Sequence, residues 1–450
     1  MAQQPARHVI IIGGGASGVL MAAHLLRLHR DEPHPDAFRI TLVEKCAMLG
    51  RGLAYATPNC AHVLNVRAGN MSAFADEPDH FWHWLIRQGA APSQDCPDRF
   101  CFVPRALYGL YLESLLAPAR DARLGYFTCV RGEARSVDAT SEKIDVTLAD
   151  GSIHSGDLLI LACGHDETGR VVDDDAGGLA PDATVLIRGT GLTMVDCVLA
   201  LLDAGHRGKI LALSRRGLIP QVHRAIAATT YDAADMPFGT SLAYVCRWLR
   251  AQVRREAARG GDWRAVVDGI RPYSQRLWQH LPSDSRARFL RHARPWWESH
   301  RHRMAPHVDA RLKAAMASGQ LEIVAGKVLR AEPVVAGTKV TFRRRGSTQT
   351  ETRQVARVVD CTGFVHDPVA TGNPILKNLL ERGLARPDRL RIGLDVDADC
   401  ALIDAAGQSS RRIFAIGPLT QAAFWEITAV PDIRVQVAQL AAKRLAPIQR

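Results

Sequence analysis

The sequence has no CxxC pair. Its ten cysteines, at 46, 60, 96, 101, 129, 163, 197, 246, 361 and 400, are scattered, which leaves zinc ribbons and thioredoxin-like redox motifs without support. Several lie in apolar runs, such as Cys163 in LILACG and Cys197 in DCVLALL. Buried, reduced thiols of a cytoplasmic protein are therefore expected. There is no GxSxG and no HExxH, so the sequence offers no serine-hydrolase or zincin signature. Past the N-terminus no stretch approaches the roughly 18 apolar residues a membrane helix needs. Val9 to Leu26 is mostly apolar behind Arg7 and His8, in the manner of a signal peptide, but Gly13, Gly14 and Gly15 interrupt it early. What is present is ordinary for a globular protein: 450 residues, 47% hydrophobic and 23% charged. That excludes general disorder and exceeds what one core can hold, so two domains are expected. Lys+Arg 57 against Asp+Glu 46 leaves a net charge of +11, which suits nucleic acid, a membrane surface, or anionic nucleotides and substrates alike.

The early glycines have a better explanation than a leader. Val9–Ile12 reads as a buried parallel strand, followed by Gly13-Gly14-Gly15-Ala16-Ser17-Gly18 and a helical apolar stretch. A second strand, 39–44, ends in Glu44, 26 residues after Gly18. In a GxGxxG turn, Gly13 makes the tight bend, Gly15 lets the backbone approach a pyrophosphate, and Gly18 lets helix and strand pack. The N-terminal turn of the helix at Ala16 and Ser17 offers N–H donors and partial positive charge. Glu44 stands where an acid accepts hydrogen bonds from an adenosine ribose, as in FAD or NAD sites.

A second copy begins at 182–188, a strand followed by Gly189-Thr190-Gly191-Leu192-Thr193-Met194. Met194 replaces the third glycine. The next strand, 209–213, ends in Ser214-Arg215-Arg216. An acid there would repel a 2′-phosphate, whereas arginine offers bidentate bonds to it, so this site reads as NADPH-binding, with NADH possible. The alternative is that Arg215 and Arg216 are solvated surface charges.

Each copy precedes a β-rich stretch, 127–165 and 321–364. A repeat of this kind predicts an α/β protein with two Rossmann-like dinucleotide-binding domains and β-meanders, the NAD(P)H domain inserted in the FAD domain. The expected boundaries are 1–181 for the first part of the FAD domain, 182–330 for the NAD(P)H domain, and 331–450 for the return. The return shows as a strand at 412–416 ending at Gly417-Pro418, then a helix from Val430 to Leu445, whose first turn could face a flavin oxygen. Trp425 and Glu426 precede that helix and are candidate catalytic residues.

A helical insertion is expected at about 240–318. Arg247 to Arg311 holds 15 arginines and five of the eight tryptophans. Interleaved arginines and aromatics could bind single-stranded nucleic acid, but no nucleic-acid motif accompanies them. The expected arrangement has aromatics packing the insertion and arginines solvated outside. His300, His302, Arg303 and Met304 could border a mouth that takes an anionic substrate, or be plain surface. HRHR lacks carboxylates and i,i+4 partners, so no metal is expected. His223 is a lone histidine that could be structural or reach the nicotinamide side.

The runs IIGGGASG (11–18), GRGLAY (50–55), HVLNVRAGNMSAF (62–74), FVPR (102–105), LACGH (161–165), IRGTGLTMVD (187–196), SRRG (214–217), HRMAP (302–306), CTGF (361–364) and AIGPL with WEITAVPDIR (415–434) together resemble a family over nearly the whole chain. The chain is similar to bacterial FAD/NAD(P)-binding proteins, a group related to flavin-dependent N-hydroxylating monooxygenases and to a FAD-dependent urate hydroxylase. The resemblance implies FAD, NAD(P)H and O2 without naming a substrate; a small-molecule substrate is expected, and the missing nucleic-acid motifs and long apolar spans predict no nucleic acid and no membrane. It adds Gly50, Gly52, Gly164, Gly363 and Gly417 to the cofactor-binding residues. It also implies that Asn65, Arg67, Asn70 and Met71 line the flavin, with Asn65 and Arg67 catalytic; the alternative is a polar surface loop. Pro418 stands where many flavoproteins have an aspartate against the ribityl chain. Disulfide reductases need a close cysteine pair, which is missing; an oxidase would leave the second nucleotide site idle. A monooxygenase, in which O2 adds at flavin C4a and the (hydro)peroxide attacks a urate, purine, amino acid or amine, needs no protein nucleophile. A flavin-binding redox sensor or electron-transfer protein with little turnover is the alternative.

Overall fold

The chain is seen in a computed structural model that describes residues 7–31, 38–122, 125–140, 142–165, 178–364 and 366–445. Its strands are β1 (Arg7–Ile12), β2 (Phe38–Glu44), β3 (Phe127–Arg131), β4 (Ala134–Ala139), β5 (Ile144–Leu148), β6 (Ile153–Gly156), β7 (Leu158–Leu161), β8 (Val185–Arg188), β9 (Ile210–Ser214), β10 (Leu321–Val334), β11 (Gly337–Arg344), β12 (Thr350–Val355), β13 (Arg357–Asp360), β14 (Ala401–Ile403) and β15 (Ser409–Ala415). Two compact units result. One joins 1–60, 66–168 and 364–450; the other joins 61–65 and 169–363. The first long junction, 168/169, lies outside the described residues.

Unit one holds a six-stranded sheet in the order β14-β15-β7-β1-β2-β3. Only β14 runs antiparallel to its neighbour. The unbroken apolar runs of β1 and β7 are covered on both faces, as parallel central strands require: Ile10, Ile11, Leu159 and Ile160 have no exposed surface. Helix Ala16–Asp31 packs against helix Val430–Leu440. The strands β4, β5 and β6 form a separate antiparallel meander. Its Val137, Ile144 and Val146 share a core with Ile375 and Leu379 of helix Pro374–Glu381.

Unit two holds the order β12-β11-β10-β9-β8-β13. Here the meander is not separate. The first part of β10 pairs parallel with β9 through Leu321–Ala325, and the rest pairs antiparallel with β11. The domain boundary expected at 331 therefore falls inside β10, and the unit runs on to Gly363. One continuous strand, bonded along both halves, cannot be divided between domains.

The helical insertion comprises Leu242–Ala258, Trp263–Ile270, Ser274–His280, Ser283–Arg288, a π-turn at Phe289–Ala293 and Arg294–Arg301. It is shorter than expected. Helix Pro306–Ala317 belongs to the α/β core: it packs on helix Leu192–Asp203 and β10, burying Val308, Leu312 and Ala315. The arginines are not all solvated either. Arg264 and Arg303 are 4% and 2% exposed. Both stack on Trp263, at 4.4 and 5.4 Å from its ring centre, and are neutralised by Asp262 and Asp268. Arg303 and the buried Met304 thus fill the interior and do not present donors to a substrate. Trp278 is buried, while Trp296 stays 46% exposed.

The cysteines also depart from expectation. Cys96 and Cys101 form a disulfide, because the turn closed by Cys101 N–H donating to Asp98 O brings them together. Cys46, Cys60 and Cys129 are exposed. Among the described residues, no helix is long and apolar enough to cross a membrane, and no cluster of three or more His, Cys, Asp or Glu could hold a metal ion.

Candidate functional site

At the end of β1 the chain turns at Gly13, φ 102°. A Cβ there would lie 2.5 Å from Ala162 O, just beyond β7, so only glycine fits. Gly18 is equally constrained, since its Cβ would meet Gly13 O at 1.8 Å. Gly15 differs: the nearest atom to its hypothetical Cβ is Gly52 Cα at 3.7 Å. Gly50 N–H donates to Gly14 O at 2.7 Å, which fixes the 50–52 turn against the first. Gly15 and Gly52 thus face each other bare of side chains. The first turn of helix Ala16–Asp31, whose N–H groups lack helical partners, starts at this cradle. Arg51 Nε is a buried donor with no hydrogen-bond partner among the described residues. These features fit a dinucleotide pyrophosphate.

Glu44 closes the cradle at the end of β2. Its carboxylate accepts from Gly14 N–H at 2.5 Å and Cys46 N–H at 2.8 Å. Those bonds fix its orientation and leave lone pairs for a ribose. Cys163 follows Ala162, and its thiol is pushed up to about 12 by removal from water and by the Glu44 charge. It is no thiolate nucleophile at neutral pH. Gly417, φ 65°, abuts Ser17, whose Oγ would lie 2.4 Å from a Cβ at that position. A buried amide supports this turn: Gly417 N–H donates to Gln436 Oε1 at 2.8 Å, and Gln436 Nε2 to Thr420 Oγ1 at 3.0 Å. Gln421 Oε1 is buried with no partner among the described residues. Beyond β7 and β15 a cleft opens, lined by Cys163, Gly164, His165, His366, Asn373 and Pro418 among others. Ligands of open α/β sheets sit at such carboxyl ends.

Unit two repeats the turn. Gly189, φ 107°, would place a Cβ 2.3 Å from Cys361 O. Among the described residues, no atom lies within 4 Å of a hypothetical Cβ at Gly191 or at Gly363. Ser214 supports the turn: its Oγ bonds Thr190 Oγ1 at 2.8 Å and accepts from Gly217 N–H at 3.0 Å. Arg215 is exposed. Arg216 is directed, its Nη2 donating to His292 O at 3.0 Å.

The structure thus gathers Gly13, Gly15, Ala16, Ser17, Gly18, Glu44, Gly50, Gly52 and Gly417 at one turn, and Gly189, Gly191, Ser214, Arg215 and Arg216 at the other. The 65–71 loop is not one cluster. Asn65 belongs to unit two, where its carbonyl accepts from His223 Nε2 at 3.0 Å. Arg67 lies over the Phe100 ring at 5.4 Å. Asn70 is exposed, and Met71 is buried with its carbonyl bonded to Tyr108 Oη. Trp425 and Glu426 are each 5% exposed. Glu426 holds φ 68°, a strained region for a non-glycine residue of the kind that concentrates at functional sites. Sequence reasoning missed Gln436 and the cleft residue Asn373. Neither lies in a motif, and only folding brings them to the strand ends.

Residues 10–166 match the family described as FAD-NAD(P)-binding. An uncharacterized protein of Mycobacterium tuberculosis is 32% identical over 142 residues, 30% of this chain and 25% of that protein. The chain therefore matches only about a quarter of the length of such curated relatives. Two solved structures are similar throughout. One is the ornithine N-hydroxylase of Kutzneria sp. 744 with reduced FAD, NADP+ and L-ornithine, at TM-score 0.62 and 15% identity, covering 97% of this chain and 98% of that one. The other is the FAD-bound cadaverine monooxygenase of the desferrioxamine pathway from Erwinia amylovora, at TM-score 0.66 and 11% identity, covering 99% and 97%. The chain carries an FAD/NAD(P)-binding domain at residues 10–166, on a fold it shares with these flavin monooxygenases.

Proposed function

We propose that the chain is an FAD-dependent, NADPH-using monooxygenase of a small polar nitrogenous substrate, with FAD held by unit one and NADPH by unit two. The observation that carries this is the pair of matching glycine turns with opposite charge at the following strand end: Glu44 in one, Arg215 and Arg216 in the other. Gly13 makes the bend and Gly18 seats the helix, so that Gly15, Ala16 and Ser17 offer backbone N–H groups to the FAD pyrophosphate; Gly50 and Gly52 keep its approach clear, and Glu44 takes the ribose hydroxyls. Arg215 and Arg216 take the 2′-phosphate of NADPH. When bound, FAD supplies hydride acceptance and oxygen activation. The chain supplies position and charge. In the 66–71 stretch of unit one, Asn70 is the exposed polar group offered to the flavin, and Arg67 adds positive charge favouring its reduced, anionic form. The buried carboxylate of Glu426 pairs with an ammonium group of the substrate beside Trp425. An amine substrate is supported by the ornithine and cadaverine monooxygenases of the same fold.

The test is direct. The purified protein is expected to be yellow and to oxidise NADPH slowly. Amines, amino acids, purines and urate are screened for acceleration, with mass analysis for a product one oxygen atom heavier. A colourless protein that cannot be loaded with FAD defeats the proposal. A yellow protein that consumes no NADPH with any substrate turns the reading to a redox sensor.

A further inference from the structure

Arg216 is held by something the α/β core does not supply. Its Nη2 bonds the carbonyl of His292, and its guanidinium lies 5.9 Å from the ring centre of Trp296. Both partners belong to the helical insertion, one in the π-turn Phe289–Ala293 and the other in helix Arg294–Arg301. A π-turn inserts one residue into the helical repeat and rotates everything after it, and such turns recur at binding sites. Here the rotated segment carries Trp296. With 46% of its surface exposed, Trp296 leaves a large aromatic face in water where most tryptophans are well covered.

The position of that face suggests its use. In a Rossmann unit, the end of the second strand meets the ribose that carries the adenine. In unit two this is Ser214-Arg215-Arg216, and Trp296 touches Arg216. We propose that Trp296 is a stacking platform for the adenine of NADPH, so that the insertion completes the adenosine 2′-phosphate pocket. This rests on the assignment of NADPH to unit two. Arg215 and the free arm of Arg216 bond the phosphate, while the flat base lies on the indole. Stacking asks only for a π face, so Trp296 adds affinity without reading the nicotinamide end.

The experiment uses FAD-loaded protein and measures binding by calorimetry and tryptophan emission, with no turnover required. The probes are 2′,5′-ADP, NADP+ and reduced nicotinamide mononucleotide. Trp296→Ala is expected to weaken 2′,5′-ADP and NADP+ about tenfold, and to leave the mononucleotide and the flavin content unchanged. Trp296→Phe keeps affinity within about threefold of wild type, because it keeps a π face. Trp296→Leu, which keeps bulk without one, behaves like the alanine variant. Natively folded Trp296→Ala or Trp296→Leu with wild-type affinity for 2′,5′-ADP overturns the platform and leaves NADPH binding standing. Wild-type protein that binds neither 2′,5′-ADP nor NADP+ overturns both.

Discussion

The two glycine turns are near copies in backbone and opposites in what surrounds them. Gly13 N–H donates to Val43 O at 2.9 Å, and Gly189 N–H to Leu213 O at 2.8 Å. Ala162 N–H reaches Ile12 O at 2.8 Å, and Cys361 N–H reaches Arg188 O at 2.7 Å. Both following helices begin three residues after the first glycine. The difference comes at the sixth position. Gly18 lies so close to Gly13 that no side chain fits, whereas Met194 fits with no exposed surface. The strand-to-strand geometry is therefore common to both turns, while the seating of the helix is local. An intact third glycine is not a requirement for the turn itself.

The most damaging way to probe the comparison is alanine at the first glycine. Gly13→Ala and Gly189→Ala each force a Cβ into a carbonyl at positive φ, costing about 3 kcal/mol or more. Gly13→Ala should yield protein with little flavin absorbance. Gly189→Ala should keep its flavin and lose NADP+ binding. Equal flavin loss in both would show that the turns do not divide the cofactors.

Next come the sixth positions. Met194→Ala removes a fully buried side chain and should cost about 2–4 kcal/mol in denaturant unfolding. Its NADP+ affinity should change little. Gly18→Ala should instead lower FAD affinity by pushing the helix off the turn. A smaller effect is expected at the charge difference. Arg215→Ala should raise the NADPH dissociation constant about tenfold, or roughly 1.4 kcal/mol, while NADH binding is unchanged.

Alkali should separate the units by stability. Burial pushes the Cys400 thiol from 9.0 up to about 12 and raises the Tyr108 and Tyr111 phenols. The unfolded chain loses these protons first, so it binds fewer protons than the folded one, and stability falls as pH rises. For Cys400 the contribution is complete below pH 9 and is lost progressively from about 9 to 12. All three groups lie in unit one, so flavin release should track this alkaline loss. The smallest effect is at Glu426. Glu426→Gly relieves its positive φ but removes a buried carboxylate, and should leave unfolding stability within about 1 kcal/mol of wild type, while slowing NADPH oxidation with an amine substrate.

Much of this was readable in the sequence because glycines and β-branched runs act locally. The strands at Val9 and Val185, both turns, Glu44 and Arg215 all lie in short windows with one geometric solution. The 331 boundary failed because a strand that changes partners midway looks like two elements. Arg264 and Arg303 defeated a composition rule: an arginine paired with aspartate and stacked on Trp263 can be buried, and nothing in the local sequence announces the pairing. Cys96 and Cys101 have a spacing outside the CxxC pattern. Gln436 acts on Gly417 across 19 residues through a bond that exists only once the last helix is seated.

Five residues, 61–65, belong to unit two although their chain neighbours on both sides belong to unit one. They are fastened there by His62 Nε2 donating to Asp196 O at 3.1 Å and by the Asn65 carbonyl accepting from His223. Unit two is consequently not a cassette. Transplanting 169–363 into a relative, by recombination or in the laboratory, forfeits both bonds unless the donor's pentapeptide travels too. If Arg215 and Arg216 read the cofactor as proposed, point changes there exchange its preference without disturbing those bonds, whereas whole-unit shuffling breaks them.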